Sequence, residues 1–321
     1  MTTSYYLIIF VLLILIELIY FKIARIYQIL DIPNHRSSHQ KPVIRGGGII
    51  FPIAILFYFF INDFQFPYFV LGLISIASIS FIDDIKTVGK RIRMLTHLVA
   101  VLLIFQEINS WITLTWWIPA IVFICIGIIN TFNFMDGING ITVSYGLTIV
   151  ISLIWVNIFH DNFIPLDLLL ITAISLLVLS IFNFRNQALC FAGDVGSVSL
   201  AFILIFFLFV LCLKTQNLGY LFFFIVYGID TSMTIARRLY LKENIFEPHR
   251  QHLFQLLKNE LGINALYISI AYSTVQLAVN TIIIWSMKQD LFHEYLIIGC
   301  LTILLISVYW GIRLFITRQR V

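Results

Sequence analysis

The sequence predicts an all-α polytopic membrane protein of about eleven transmembrane helices, folded as a single transmembrane domain over residues 1–321. Three observations predict it. Hydrophobic residues make up 60% of the chain and charged residues only 11%, whereas soluble domains run to about a quarter charged. Apolar windows of about twenty residues recur from end to end, a length that spans a bilayer as helix and not as barrel strand. The basic residues fall almost entirely on alternate connections.

The expected spans are Ser4–Phe21, Gly47–Ile61, Pro67–Ile82, Met94–Phe105, Trp116–Phe132, Ile141–Phe159, Ile164–Phe182, Gly196–Leu213, Leu218–Ala236, Ile263–Met287 and Leu291–Phe315. The first run is long enough to span and lacks a basic leader segment, so it reads as an anchor and not as a cleaved signal. The fourth is the shortest. If the spans alternate, all but Lys214 and Lys288 of the 20 Lys and Arg residues lie on one side. The positive-inside rule makes that side cytoplasmic, with the N-terminus outside and the C-terminus inside. The four cysteines are dispersed without a CxxC pair and read as reduced fillers.

The outer connections are short and bland, while the inner ones hold the unusual residues. The first runs from Asp31 through Arg36-Ser37-Ser38-His39, Lys41 and Arg45 to Gly46-Gly47-Gly48. Cations followed by a glycine triplet suit a phosphate held by side chains and backbone N–H groups. The second begins Asp83-Asp84 and runs to Arg93; adjacent carboxylates at a helix end suit a divalent cation or a base, and equally a solvated end with local ion pairs. The third, Asn130 to Gly140, carries Asn133, Asp136 and Asn139 between two apolar runs. The fourth, Phe191-Ala192-Gly193-Asp194-Val195-Gly196-Ser197, places a carboxylate at a helix start and suits a magnesium–phosphate corner, though turns before helices often look the same. The fifth is His249-Arg250-Gln251-His252, where the Arg fork suits phosphate oxygens. Asp230, inside the ninth span, reads either as a functional intramembrane carboxylate or as a structural partner of Arg237 or Arg238. Glu17 has no evident partner. With carboxylates, cations and glycines gathered on one face, the sequence points to cytosolic chemistry on a phosphorylated soluble substrate, with a second, apolar substrate arriving through the bilayer.

These motifs, in this order and over nearly the whole of Asp31 to His252, resemble those of the polyprenyl-phosphate N-acetylhexosamine-1-phosphate transferases of glycosyltransferase family 4. The Arg-Ser-Ser-His and His-Arg-x-His versions are similar to the O-antigen and capsule branch. The resemblance implies a bacterial inner-membrane enzyme, one catalytic domain of eleven spans, that transfers sugar-1-phosphate from a UDP-N-acetylhexosamine (UDP-GlcNAc or a 6-deoxy relative) to undecaprenyl phosphate and releases UMP. It implies Mg2+, or Mn2+ in its place, at Asp194 with Asp84 beside it. Asp83 would deprotonate or orient the lipid phosphate, and Asp136 and Asn133 would join the same polar core. His249, Arg250 and His252 would hold the diphosphate or sugar, with Arg36, His39, Lys41, Arg45 and Arg93 as further substrate-binding residues. Phe191 would lie against the uracil. Asn139 departs from the family pattern, which often has Asp there, and its expected role is hydrogen bonding toward the nucleotide. Arg185-Asn186-Gln187 also departs from the usual Pro-containing sequence.

Partners implied are the UDP-sugar, the lipid carrier and the bilayer, with no nucleic acid; aromatics in the last two spans suit either a homodimer interface or lipid. Two readings compete: the peptidoglycan enzyme that takes UDP-N-acetylmuramoyl-pentapeptide, disfavoured by the fifth motif, and a lipid-sugar flippase, for which charges nearer mid-span and internal repeats are expected.

Overall fold

The structure, a computed structural model, describes residues 3–32, 42–109, 116–245, 247 and 249–318. Every predicted span coincides with a helical segment. In order these are α1 (Thr3–Ile26), a two-residue hairpin of β1 (Leu30–Asp31) and β2 (Val43–Ile44), a 3-10 turn (Gly47–Ile49) running into α2 (Ile50–Ile61), α3 (Pro67–Ile85), α4 (Lys90–Glu107), α5 (Ile118–Met135), α6 (Ile141–Phe159), α7 (Leu166–Asn183), α8 (Gly193–Thr215), a 3-10 segment (Leu218–Phe224) running into α9 (Ile225–Tyr240), α10 (Leu253–Asn259), α11 (Ala265–Ser286) and α12 (Leu291–Arg318). Among the described residues, nine helical segments, and not the eleven expected, are long and apolar enough to cross a membrane; the Gly47–Ile61 segment is shorter, and α4, which begins with charged residues, is not among the nine. Proline opens α3 and α5 within the first turn, where the missing N–H costs no hydrogen bond.

The bundle is built around α8. Of its most apolar stretch 89% is buried, against 11% for α12 at the periphery. Helices α3 and α5 pack against α8, and Phe69 stacks on Phe206 with ring centroids 4.1 Å apart. A helix apolar on all sides belongs in such a centre, and that centrality fixes Asp194, in its first turn, at the convergence of the other helices.

Three details differ from the expectation. α4 extends to Lys90, so Arg91 and Arg93 are helical and not in a loop. The last inner connection contains a short helix, α10, that the apolar pattern does not announce. The ninth span is broken, and distant side chains replace the missing ladder. Gln276 accepts from the Val226 N–H at 3.0 Å and donates to the Phe222 carbonyl at 3.1 Å, while the Tyr145 hydroxyl accepts from Tyr227 N–H. Backbone polar groups at membrane depth need such partners.

Candidate active site

The acidic motifs converge. Asp84, at the end of α3, is closed to solvent, and each of its oxygens accepts a backbone N–H from the start of α8, Asp194 N–H at 2.9 Å and Val195 N–H at 2.9 Å. Arg45 Nε adds a contact of 2.6 Å to Asp84 and reaches Asp194 with Nη2 at 3.1 Å. Asp83 accepts from Val88 N–H at 2.5 Å and pairs with Arg93 at 2.7 Å. Asp83 and Asp194 are themselves in hydrogen-bonding contact, with Asn133 beside Asp194. Two carboxylates that meet require a shared proton or a cation. Burial works against the Arg45 charge, but Asp84 and Asp194 outweigh it and raise its pKa.

This geometry assigns the aspartates differently from the expectation. Asp84 has both oxygens engaged in capping α8, so it positions Asp194 and is not an open ligand. Asp83, expected to serve the lipid phosphate, is the carboxylate that meets Asp194. Among the described residues, no three acidic, His or Cys side chains form a ready-made metal cage. Magnesium is ordinarily held by one or two carboxylates plus substrate phosphates, and Asp83, Asp194 and Asn133 fit that donor set.

The glycine triplet also works differently. Gly47 N–H and Gly48 N–H donate to the carbonyls of Phe191 and Ala192, both at 2.9 Å, so neither serves as a phosphate cradle. A Cβ on Gly48 would lie 2.1 Å from the Gly196 Cα. The glycines let the first loop lie directly on the start of α8, which carries Arg45 to the aspartates. Behind them lies Glu17, fully buried, with Oε1 3.7 Å from Cys190 Sγ and no partner for Oε2 among the described residues.

β2 pairs with β1 and bridges to Cys190. Beside it opens a cavity of about 710 Å³ lined by Ile44, Asn139, Asn186, Gln187, Phe191 and Lys258, among others. Ile44 and Phe191 lead along the chain into Arg45 and Asp194. Asn139 Nδ2 donates to the carbonyls of Arg185 (2.8 Å) and Asn186 (3.1 Å). A carboxylate there would face two backbone acceptors without a donor. Asp136 ends α5 and accepts from the Thr142 hydroxyl at 2.6 Å. Its enclosed surroundings raise its pKa to about 6, with the Thr142 bond pulling the other way.

The fifth motif forms a separate pole. Phe254, in α10, packs on Gly137, where a Cβ would approach the ring to 2.9 Å. His249 and His252 lie 4.9 Å apart, ring centre to ring centre. Burial first, then His252 and Arg238, lower the His249 pKa to about 4, so it is neutral at pH 7. Arg250 Nη2 is buried and has no partner among the described residues. Asp230 pairs with neither Arg237 nor Arg238: it meets His252 Nδ1 at 3.4 Å and caps α10, while Arg238 binds Glu243 at 3.0 Å. Arg36, His39 and Lys41 lie outside the described residues. Sequence reasoning missed His97, buried with both ring nitrogens unpartnered among the described residues, four residues beyond Arg93 on α4. That helical spacing was its one signal.

Residues 66–212 match the family model for glycosyl transferase family 4. The chain is 27% identical to the undecaprenyl-phosphate alpha-N-acetylglucosaminyl 1-phosphate transferase of Thermotoga maritima, over 74% of this chain and 76% of the relative. It is 22% identical to a probable undecaprenyl-phosphate N-acetylglucosaminyl 1-phosphate transferase of Bacillus subtilis, over 79% and 78%. A putative glycosyltransferase of Methanocaldococcus jannaschii is 33% identical over 51% of this chain and 53% of its own length. The chain is therefore a membrane enzyme related to the undecaprenyl-phosphate sugar-1-phosphate transferases, and it classes as a sugar-1-phosphate transferase.

Proposed function

We propose that this enzyme transfers N-acetylhexosamine-1-phosphate from a UDP-sugar to undecaprenyl phosphate at the cytoplasmic face of a bacterial inner membrane, releasing UMP and starting a lipid-linked glycan of the O-antigen or capsule type. One observation carries the reading: Asp83, Asp194 and Asn133 meet Arg45 and Arg93, and the chain beside them, Ile44 just before Arg45 and Phe191 three residues before Asp194, lines the cavity that also holds Asn139. Carboxylates for a cation, guanidinium groups for phosphates and a cavity with an aromatic wall are what a metal-assisted transfer from a nucleotide sugar needs. The alternation of basic connections supports the cytoplasmic placement, and the names of two relatives support UDP-GlcNAc or a 6-deoxy relative as donor.

An oxygen of the lipid phosphate attacks the phosphorus that bears the sugar. That phosphorus–oxygen bond forms as the bond to the bridging oxygen breaks, and UMP leaves with the bridging oxygen. Asp83 and Asp194, with Asn133, would hold Mg2+. Bound there, the cation would supply charge neutralisation on the diphosphate. Arg93 orients the lipid phosphate, Arg45 turns from Asp194 to a diphosphate oxygen, and Arg250 binds another through its unpartnered nitrogen. His249 stays neutral and donates to the sugar or the diphosphate. Phe191 stacks on the uracil, and Asn139 holds the wall behind it.

The test is UMP release by the purified chain with Mg2+, undecaprenyl phosphate and a panel of UDP-sugars. Lipid-dependent UMP from one or two UDP-N-acetylhexosamines is expected. UMP from none of them would remove the reading and favour a flippase, which makes no UMP.

A further inference from the structure

We propose that Asp230 in α9 and Arg313 in α12 are positioning residues that clasp the His249-Arg250-Gln251-His252 loop from both sides, which makes α12, the outermost helix, part of the machinery for binding the donor. The inference rests on the proposed function of that loop and goes beyond it.

Asp230 is 2% exposed and meets donors from its own helix, from the start of α10 and from α11. Its Oδ1 accepts Leu253 N–H at 2.9 Å and the Thr234 hydroxyl at 3.3 Å, and faces His252 Nδ1 at 3.4 Å. Its Oδ2 accepts the Tyr272 hydroxyl at 2.6 Å and Phe254 N–H at 3.4 Å. A buried carboxylate of this kind fixes whatever donates to it. Here that is the start of α10, through the Leu253 and Phe254 N–H groups, with the His252 ring beside the carboxylate.

Arg313 grips Gln251, the residue just before His252. Arg313 is 6% exposed, and its Nη1 donates to the Gln251 carbonyl at 3.0 Å and to the Tyr309 hydroxyl at 2.5 Å. Tyr309 and Thr234 hydroxyls lie 3.0 Å apart. The bonds run in one consistent direction: Arg313 donates to Tyr309, Tyr309 to Thr234 and Thr234 to Asp230. Each hydroxyl accepts one bond and donates one, so cation and carboxylate are joined through a satisfied chain, which polarises every link. By charge Arg313 counts as one more basic residue at an inner helix end; by geometry it is buried and aimed at a loop carbonyl.

The two grips hold adjacent backbone, Gln251 and the start of α10, directly after Arg250 and on either side of His252. The neighbouring Arg250 keeps a buried nitrogen with no protein partner among the described residues. A phosphate oxygen would complete it. Loosening the clasp therefore acts on donor affinity and not on the lipid carrier or on Asp194.

The experiment is a double-mutant cycle on the full-length chain: wild type, Asp230→Asn, His252→Gln and the double variant, read by KM for UDP-GlcNAc, KM for undecaprenyl phosphate, kcat, and UDP-GlcNAc binding by calorimetry with Mg2+. Asp230→Asn is expected to raise KM and Kd for the donor about ten-fold, with kcat and lipid KM within about three-fold, and its effect is expected to shrink to under about two-fold in the His252→Gln background. Arg313→Gln is expected to follow Asp230→Asn, and Arg313→Lys to recover most of the donor affinity. The same fold-loss from Asp230→Asn in both backgrounds would overturn the clasp, as would a fall in kcat alone or an equal rise in both KM values. Should Asp230→Asn fail to fold, the Arg313→Gln and Arg313→Lys pair decides by the same split. Wild-type UMP release tests the reading of the site separately, so turnover with an additive cycle removes only the clasp.

Discussion

The acid corner and the basic loop solve opposite problems. At the acid corner Asp83, Asp84 and Asp194 meet, and the protein supplies the counter-charges itself through Arg45 and Arg93. In the basic loop the counter-charges are given to the frame. Asp230 serves His252 and the α10 backbone, and Glu243 serves Arg238, which leaves Arg250 with an unanswered nitrogen. One region sets three carboxylates against two guanidinium groups and has room for a cation's charge; the other is held open for an anion. The difference accounts for the division of labour proposed for them, and each half can be broken separately.

The largest effect is expected at Asp194. Asp194→Asn should lower UMP release by about a thousand-fold or more, since it removes charge where phosphoryl transfer most needs a cation held. Chelation should abolish turnover and added Mg2+ should restore it. Near-normal release by the variant, or turnover untouched by a chelator, would remove the metal role from this corner.

Asp83 and Asp84 sharpen the contrast within the corner. Asp84→Asn leaves one of the two N–H groups at the start of α8 facing an amide donor, a cost of about 1–3 kcal/mol. It should lower both the thermal midpoint and turnover. Asp83→Asn should lose turnover by about a hundred-fold or more with a smaller change in midpoint, because Asp83 faces the reacting region and a partly exposed guanidinium. Equal stability losses in the two variants would contradict the assignment of Asp84 as a cap.

Much of the acid corner was legible in the sequence, and less of the basic loop. Asp83, Asp84 and Asp194 stand at helix ends, where apolar periodicity stops abruptly, so their placement follows from the span pattern. Which of the two neighbours caps and which meets Asp194 depends on the rotation of α3 against α8, and a one-residue difference carries no sequence signal. The glycine triplet was read as a phosphate cradle because its composition fits one; its N–H groups turned out to face Phe191 and Ala192, partners far away in the chain. Asp230 was noticed as a costly carboxylate within a span, but most of its partners come from two other helical segments, α10 and α11. Tyr309 and Arg313 look like any aromatic and basic pair at the end of a membrane helix.

Asn139 gives an intermediate effect. Asn139→Asp sets a carboxylate against the carbonyls of Arg185 and Asn186, at a cost of about 1–3 kcal/mol. The wall of the Phe191 cavity should loosen, and KM for the UDP-sugar should rise about ten-fold with little change in KM for the lipid. An unchanged donor KM would separate this cavity from the nucleotide.

The smallest effect is expected at Asp136, between the two regions. Its folded pKa of about 6 lies above the value near 4 of an unfolded aspartate. Between these values the unfolded chain releases its proton while the folded chain keeps it, so this residue makes stability fall as pH rises through that window. Above it both states are ionised and the loss stays constant. An amide in place of the Asp136 carboxyl would imitate the protonated form and still accept from Thr142. Asp136→Asn should therefore flatten the decline of the thermal midpoint from pH 4 to 6 and leave the variant more stable than wild type at pH 7, by on the order of 2 kcal/mol. Parallel pH profiles for the two proteins would show that folding does not raise the Asp136 pKa.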